Sequence, residues 1–307
     1  MVALEEIIIG LLAAAIRMST SISLAAIGEI YAEKSGVINL GCEGMMLMGA
    51  LSSAIFSQYT GNNIIGILFA GIIGGLFGLL MALLSVRFGT NQLVNGISIS
   101  ILGFGLSSFL FRAYLGETSG IVGKLDVIPI PILGEIPIIG PVLFRHHAMV
   151  YMTFIALILS GLILFRTTLG LNIRAVGENP RAADSLGINV YLTRYLCLTF
   201  AGAMAGIGGA ALVLGDLGSF GYGVTAGRGW IAVALVILSN WNPYRLLGAT
   251  LIFTSVDALQ LRLQNIGTGI PPQFLLMLPY ILVIVLLTVI ARKARAPASL
   301  GKPYTRE

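Results

Sequence analysis

The strongest constraint in this chain is a succession of apolar runs, most of spanning length, separated by short polar breaks. Hydrocarbon offers backbone N–H and C=O groups no partner. A run embedded in lipid must satisfy them within itself, as a helix of about 20 residues does. Such runs occupy residues 7–27, 37–56, 64–86, 93–111, 148–165, 196–214, 231–238 with the Gly-rich stretch before it, 246–263 and 274–290. They predict an all-α polytopic membrane protein, one transmembrane domain over residues 1–307, with about nine transmembrane segments, several of them short. A soluble globular chain carries about 25% charged residues, whereas this one carries 10% and reaches a mean hydropathy of +0.95. The net charge of +5 does not point to nucleic acid, because Arg292, Lys293, Arg295, Lys302 and Arg306 form a basic tail over residues 292–307. That tail suits a cytoplasmic C-terminus and contact with anionic lipid.

One polar island carries a net positive charge: residues 166–194, RTTLGLNIRAVGENPRAADSLGINVYLTR. Arg166, Arg174, Arg181 and Arg194 outweigh Glu178 and Asp184. Excess arginine in a short loop marks the cytoplasmic side. With nine crossings, Arg87, Arg245 and the tail fall on that same side, which puts the N-terminus outside and residues 112–147 in an extracytoplasmic loop. Glu5 and Glu6 stand where a signal peptide needs basic residues, so no cleaved signal is expected. Within the cytoplasmic loop 167–193, Asn179-Pro180 can open a short helix and Gly187 can close it. A capped helix there suits docking to a soluble partner, and a plain solvated connection is the alternative. The outer segment IPIPILGEIPIIGP is too rich in proline for a regular helix. It reads as a lid or partner platform, or as an apolar loop packed on the bundle.

Two Gly-rich motifs echo each other. Residues 36–44 (GVINLGCEG) and 221–229 (GYGVTAGRG) each precede a helix, a polar turn and a second helix. The first starts inside and the second outside, the pattern of an inverted repeat with broken or re-entrant helices around a transport pathway. Ionisable and amide groups inside apolar runs are expensive and therefore informative. Asn39 and Glu43 are four apart, as are Asn91 and Asn95. Asn39, Glu43, Met46, Asn91 and Asn95 are the expected pathway lining, with Glu43 or Asp257 a partner for Arg17; helix caps and internal ion pairs are the alternative. Small residues at four-residue spacing (Gly74/Gly78, Gly202/Gly206) permit close helix packing, with a dimer seam as a second possibility. No phosphate-binding G-x-x-x-x-G-K-[ST], H-E-x-x-H, C-x-x-C or G-x-S-x-G occurs. Cys42 and Cys197 are lone thiols, and His146 and His147 fall in the outer loop, where a surface role is expected. No catalytic site, metal site or directly bound cofactor is expected.

The stretch EIYAEKSGVINLGCEGMMLMGAL (residues 29–51), the loop GLNIRAVGENPRAADSLGINV (170–190) and the GRGWIAVALVIL…NWNP segment (227–243) together resemble permease subunits of ABC importers. The superfamily is that of the ribose and branched-chain amino acid permeases, in the branch that works with basic-membrane-protein-type lipoproteins to import nucleosides. The resemblance implies a multi-pass protein of a prokaryotic plasma membrane with a second permease paralogue as partner. It also implies a double-cassette ATPase that holds ATP-Mg and an extracytoplasmic substrate-binding lipoprotein. It makes Glu178, Asn179, Pro180, Arg181, Ala182, Ala183 and Gly187 the helix that couples to the ATPase. A simple sugar such as ribose is the alternative substrate. A stand-alone secondary transporter is a further alternative, opposed by the coupling-type loop and by the scarcity of embedded acids.

Overall fold

The computed structural model describes residues 2–116, 121–266, 269, 271–290 and 294–305. Each of the nine apolar runs becomes a helix. In chain order, α1 is Val2–Lys34, α2 Cys42–Thr60, α3 Asn63–Ala82 and α4 Gln92–Tyr114. After a short hairpin come α6 Ala148–Arg166, α7 Thr168–Glu178, α8 Pro180–Ser185, α9 Val190–Ala210, α10 Arg228–Leu238, α11 Pro243–Ile266 and α12 Pro272–Ile290. Seven of these helices, with their π-helical extensions, are long and apolar enough to cross a membrane unaided. The other two apolar helices, α2 and the 11-residue α10, are the ones that follow the Gly-rich motifs.

Helices α1, α2, α3 and α9 form the centre of the bundle. Their closeness is set by glycine. A Cβ on Gly206 would lie 2.1 Å from the Ala70 carbonyl oxygen, and one on Gly202 2.2 Å from that of Gly74. The four-spaced small residues thus form the α3–α9 seam inside the chain. The α3 face turned away is a stripe of exposed Ile64, Leu68, Ile72 and Leu76, as lipid contact requires.

The segment before α6 contains a two-stranded antiparallel hairpin, β1 Val127–Pro129 with β2 Arg145–His147, and a single helical turn, α5 Ile139–Leu143. The prolines break it into these short pieces, as expected. The two histidines differ from expectation: they are buried, not on the surface. The His146 ring bonds the Val142 carbonyl at 2.7 Å, and the His147 ring packs against Gly215.

Contacts sort the loops onto two faces. On the basic face, the Ser299 and Gly301 amides donate to the carbonyls of Gly177 and Gly36, and the Arg295 amide to Asn240 Oδ1. On the far face, Arg262 donates to the Ile7 carbonyl at 2.9 Å, and Leu125 N–H to that of Leu214 at 2.8 Å. The described part of the tail folds back on α7 and α8, with Ser299 buried and bonded to the carbonyls of Val176 and Gly177.

Candidate functional site

The two Gly-rich motifs meet within the bundle. The break over residues 35–41 enters from the basic face, and the break over residues 218–227 enters from the far face. Glu43, in the first turn of α2, receives the junction. Its Oε1 accepts from the Gly227 N–H at 2.9 Å and from the Thr225 hydroxyl, and its Oε2 accepts from the Gly229 N–H at 2.7 Å. The first N–H groups of a helix lack internal partners and form its positive end, so a carboxylate is the group that suits the start of α10. A Cβ on Gly229 would lie 2.5 Å from Glu43 Cα, and one on Gly103, midway along α4, 2.5 Å from Gly44 Cα. The junction therefore sits at mid-depth, and glycine alone allows the approach.

Beside it opens a cavity of about 530 Å³, walled by Glu43 and Leu47 of α2, by Ile97, Ser100, Ile101 and Phe104 of α4, and by Gly223, Ala226, Gly227 and Trp230 of the second break and α10. Of the five residues expected to line a pathway, only Glu43 reaches this cavity. Asn39 is fully buried: its amide donates to Glu29 Oε2 at 3.0 Å, and its Oδ1 accepts from Gly41 N–H at 3.1 Å, which shapes the first break. Met46 is core. Asn91 caps α4 by accepting from the N–H groups of Leu93 and Val94. Asn95 donates to Ser85 Oγ at 3.0 Å and Thr90 Oγ1 at 2.8 Å. An amide four residues from another amide satisfies lining and capping equally well on paper, and here Asn91 caps the local backbone while Asn95 bonds two nearby hydroxyls.

Arg17 pairs with neither Glu43 nor Asp257. It lies 3.1 Å from Asp216, while Asp257 lies 3.8 Å from Arg228. Acids are also less scarce than the apolar runs suggested. Glu29 is held by Asn39, and Glu33 accepts from the Trp241 indole N–H. Their spacing of four at the end of the first run was the sequence signal for them, and the partners lie 10 and 208 residues away.

On the basic face, Asn179 caps α8 by accepting from the Ala182 N–H at 3.1 Å, Pro180 occupies the first turn, and Gly187 takes φ +85°. The capped helix is thus present, preceded by α7, whose N-cap is Thr167. Arg181, Ala182, Leu186 and Gly187 are exposed, Leu186 to 82%. Ala183, expected to face a partner, instead packs with Val176, Val190 and Tyr304. Glu178 accepts from the Ala298 N–H of the tail at 3.3 Å.

The family profile described as branched-chain amino acid transport system / permease component matches residues 11–287. The chain belongs to this permease family. Among curated members, guanosine ABC transporter permease protein NupQ of Bacillus subtilis is 36% identical over 92% of each chain. Nucleoside ABC transporter permease protein NupC of Lactococcus lactis is 33% identical over 94% of each. A Haloferax volcanii protein provisionally named a glucose ABC transporter permease, TsgC13, is 37% identical over 86% of this chain and 80% of its own. No solved structure matches the chain. For a permease of this family, the interlocked breaks and the capped basic-face helix are the two features that need a chemical account.

Proposed function

We propose that this chain is the transmembrane permease subunit of an ABC importer for nucleosides, with the Glu43 junction and its cavity forming part of the pathway. The observation that carries the reading is the junction itself. Two helices broken from opposite faces meet at mid-depth beside a cavity, and broken helices in transporters flank the solute's route. Relatives named for guanosine and nucleosides support the substrate class, and the relative named for glucose is the ground for a simple sugar as second reading. The chain lacks the G-x-x-x-x-G-K-[ST] pattern, and relatives named as ABC transporter permeases support ATP hydrolysis by a partner ATPase docked on α8. A second permease and an extracytoplasmic binding lipoprotein complete the importer in a prokaryotic plasma membrane. Positive-inside bias puts the basic face in the cytoplasm. A transporter working alone is disfavoured by the capped α8 and its bare Leu186, which suit a partner's cleft.

The test is reconstitution of permease pair and ATPase in proteoliposomes with the lipoprotein and radiolabelled guanosine. Uptake is expected only with ATP and all components. Leu186→Asp should reduce uptake at least tenfold and weaken ATPase co-purification. Guanosine uptake without the ATPase, or normal coupling in Leu186→Asp, would overturn the corresponding assignment.

A further inference from the structure

We infer that the cavity wall carries a stacking site for the flat base of the solute, made by Trp230 of α10 and Phe104 of α4. This deepens the nucleoside reading and rests on it. Tryptophan in membrane proteins concentrates at the two water interfaces. Trp230 is elsewhere: it follows Gly229, which touches Glu43 beside the midpoint of α4. At that depth its side chain is 54% exposed and lines the cavity. Among the described residues no acceptor meets its indole N–H. Phe104 is 53% exposed, and its ring edge lies 3.4 Å from where a Cβ on Gly223 would stand, so the ring covers the turn of the second break. The two rings thus reach one hollow from different elements.

The rest of the wall decides between the two solute classes. Beyond the Trp230 indole N–H, only Ser100 and Glu43 contribute polar side-chain groups. The Ser100 hydroxyl donates to the Leu40 carbonyl at 2.9 Å, which leaves its oxygen to accept, and Glu43 already receives three donors. A simple sugar presents hydroxyls all round and no π face, and each hydroxyl needs a donor or acceptor once water is removed. This wall offers few of these, so it suits the base of a nucleoside and not its ribose. A nucleobase presents two π faces, which aromatic side chains bind with little dependence on base identity. Apolar neighbours Leu47, Ile97 and Ile101 suit the same flat ligand.

The experiment uses the whole importer with its lipoprotein in proteoliposomes. Trp230→Leu keeps apolar bulk and removes the ring, Trp230→Phe keeps a ring, and Phe104→Leu is the independent partner. For guanosine, Trp230→Leu and Phe104→Leu are expected to raise KM at least tenfold with kcat within threefold, and Trp230→Phe to stay within threefold of the parent on both. In the parent, free nucleobase should inhibit guanosine uptake and ribose should not. Equal kinetics in the Leu and Phe variants, inhibition by ribose alone, or loss of the paired permease from the Leu variants would overturn the stacking site. The last result would reassign the wall to a subunit interface. A parent importer that moves glucose or ribose and no nucleoside would instead overturn the nucleoside reading itself.

Discussion

Glu43 is the residue on which two halves of the chain depend. It closes the N–H groups of Gly227 and Gly229 at the start of α10, where the helix itself offers them no acceptor. An unpaired buried polar group costs about 1–3 kcal/mol. Glu43→Ala strands both amides, so the detergent-solubilised protein should lose several degrees of thermal midpoint, measured by fluorescence-detected gel filtration on heating. Glu43→Gln keeps one acceptor oxygen but turns an NH2 toward a donor, and should fall between the two. A midpoint unchanged in Glu43→Ala would remove the pinning role. His147 supplies a pH dependence on the far face. Burial, then His146, then Arg17, push its imidazole down to about 4, against 6.5 ordinarily. The unfolded chain therefore binds the proton first. Stability from this group is present above about pH 6.5 and declines as pH falls toward 4. His147→Leu should flatten that part of the stability profile, and an identical slope would assign it to other groups.

Among the elements, the α3–α9 seam and the two breaks illustrate what pattern alone can deliver. Four-spaced glycines announce a close helix contact, but not the partner, and the sequence left packing and dimerisation both open. The contact is internal, with the Gly206 Cα facing the Ala70 carbonyl. Gly206→Val should therefore prevent a monodisperse protein from forming at all, since its side chain would have to occupy backbone. Normal expression and gel-filtration behaviour would place the seam elsewhere. The breaks were legible because Gly-rich, polar stretches cannot continue a lipid-facing helix. Their meeting was not, because Glu43 and Gly229 are separated by 186 positions and nothing local to either encodes the other. The same holds for α8. Its caps are local signals, whereas the burial of Ala183 under Tyr304 depends on the distant tail folding back.

For the whole molecule, the order of helices was readable because lipid enforces length and composition segment by segment, while the cavity was not, since it arises only where α2, α4 and α10 come together. The distribution of charge is intermediate. Basic residues could be assigned to one side by rule, and the contacts of Gly177, Ser299, Gly36 and Arg295 gather their loops on one face. Which side of the membrane that face occupies is a matter for labelling. Ser299 is unsuitable as a reporter, being buried and hydrogen-bonded, whereas Thr305 and Leu186 are exposed on the basic face. On the far face Gly123 is exposed with open space around its Cα. Cys42 and Cys197 are buried and give little background. Positive-inside bias predicts that Gly123→Cys reacts with an impermeant maleimide in intact cells, while Leu186→Cys and Thr305→Cys react only after permeabilisation. Because these three positions lie on loops fixed to opposite ends of the same helices, they must report a single orientation. The reverse pattern would place α8 outside the cell, where no ATPase could reach it, and would remove the coupling role with it.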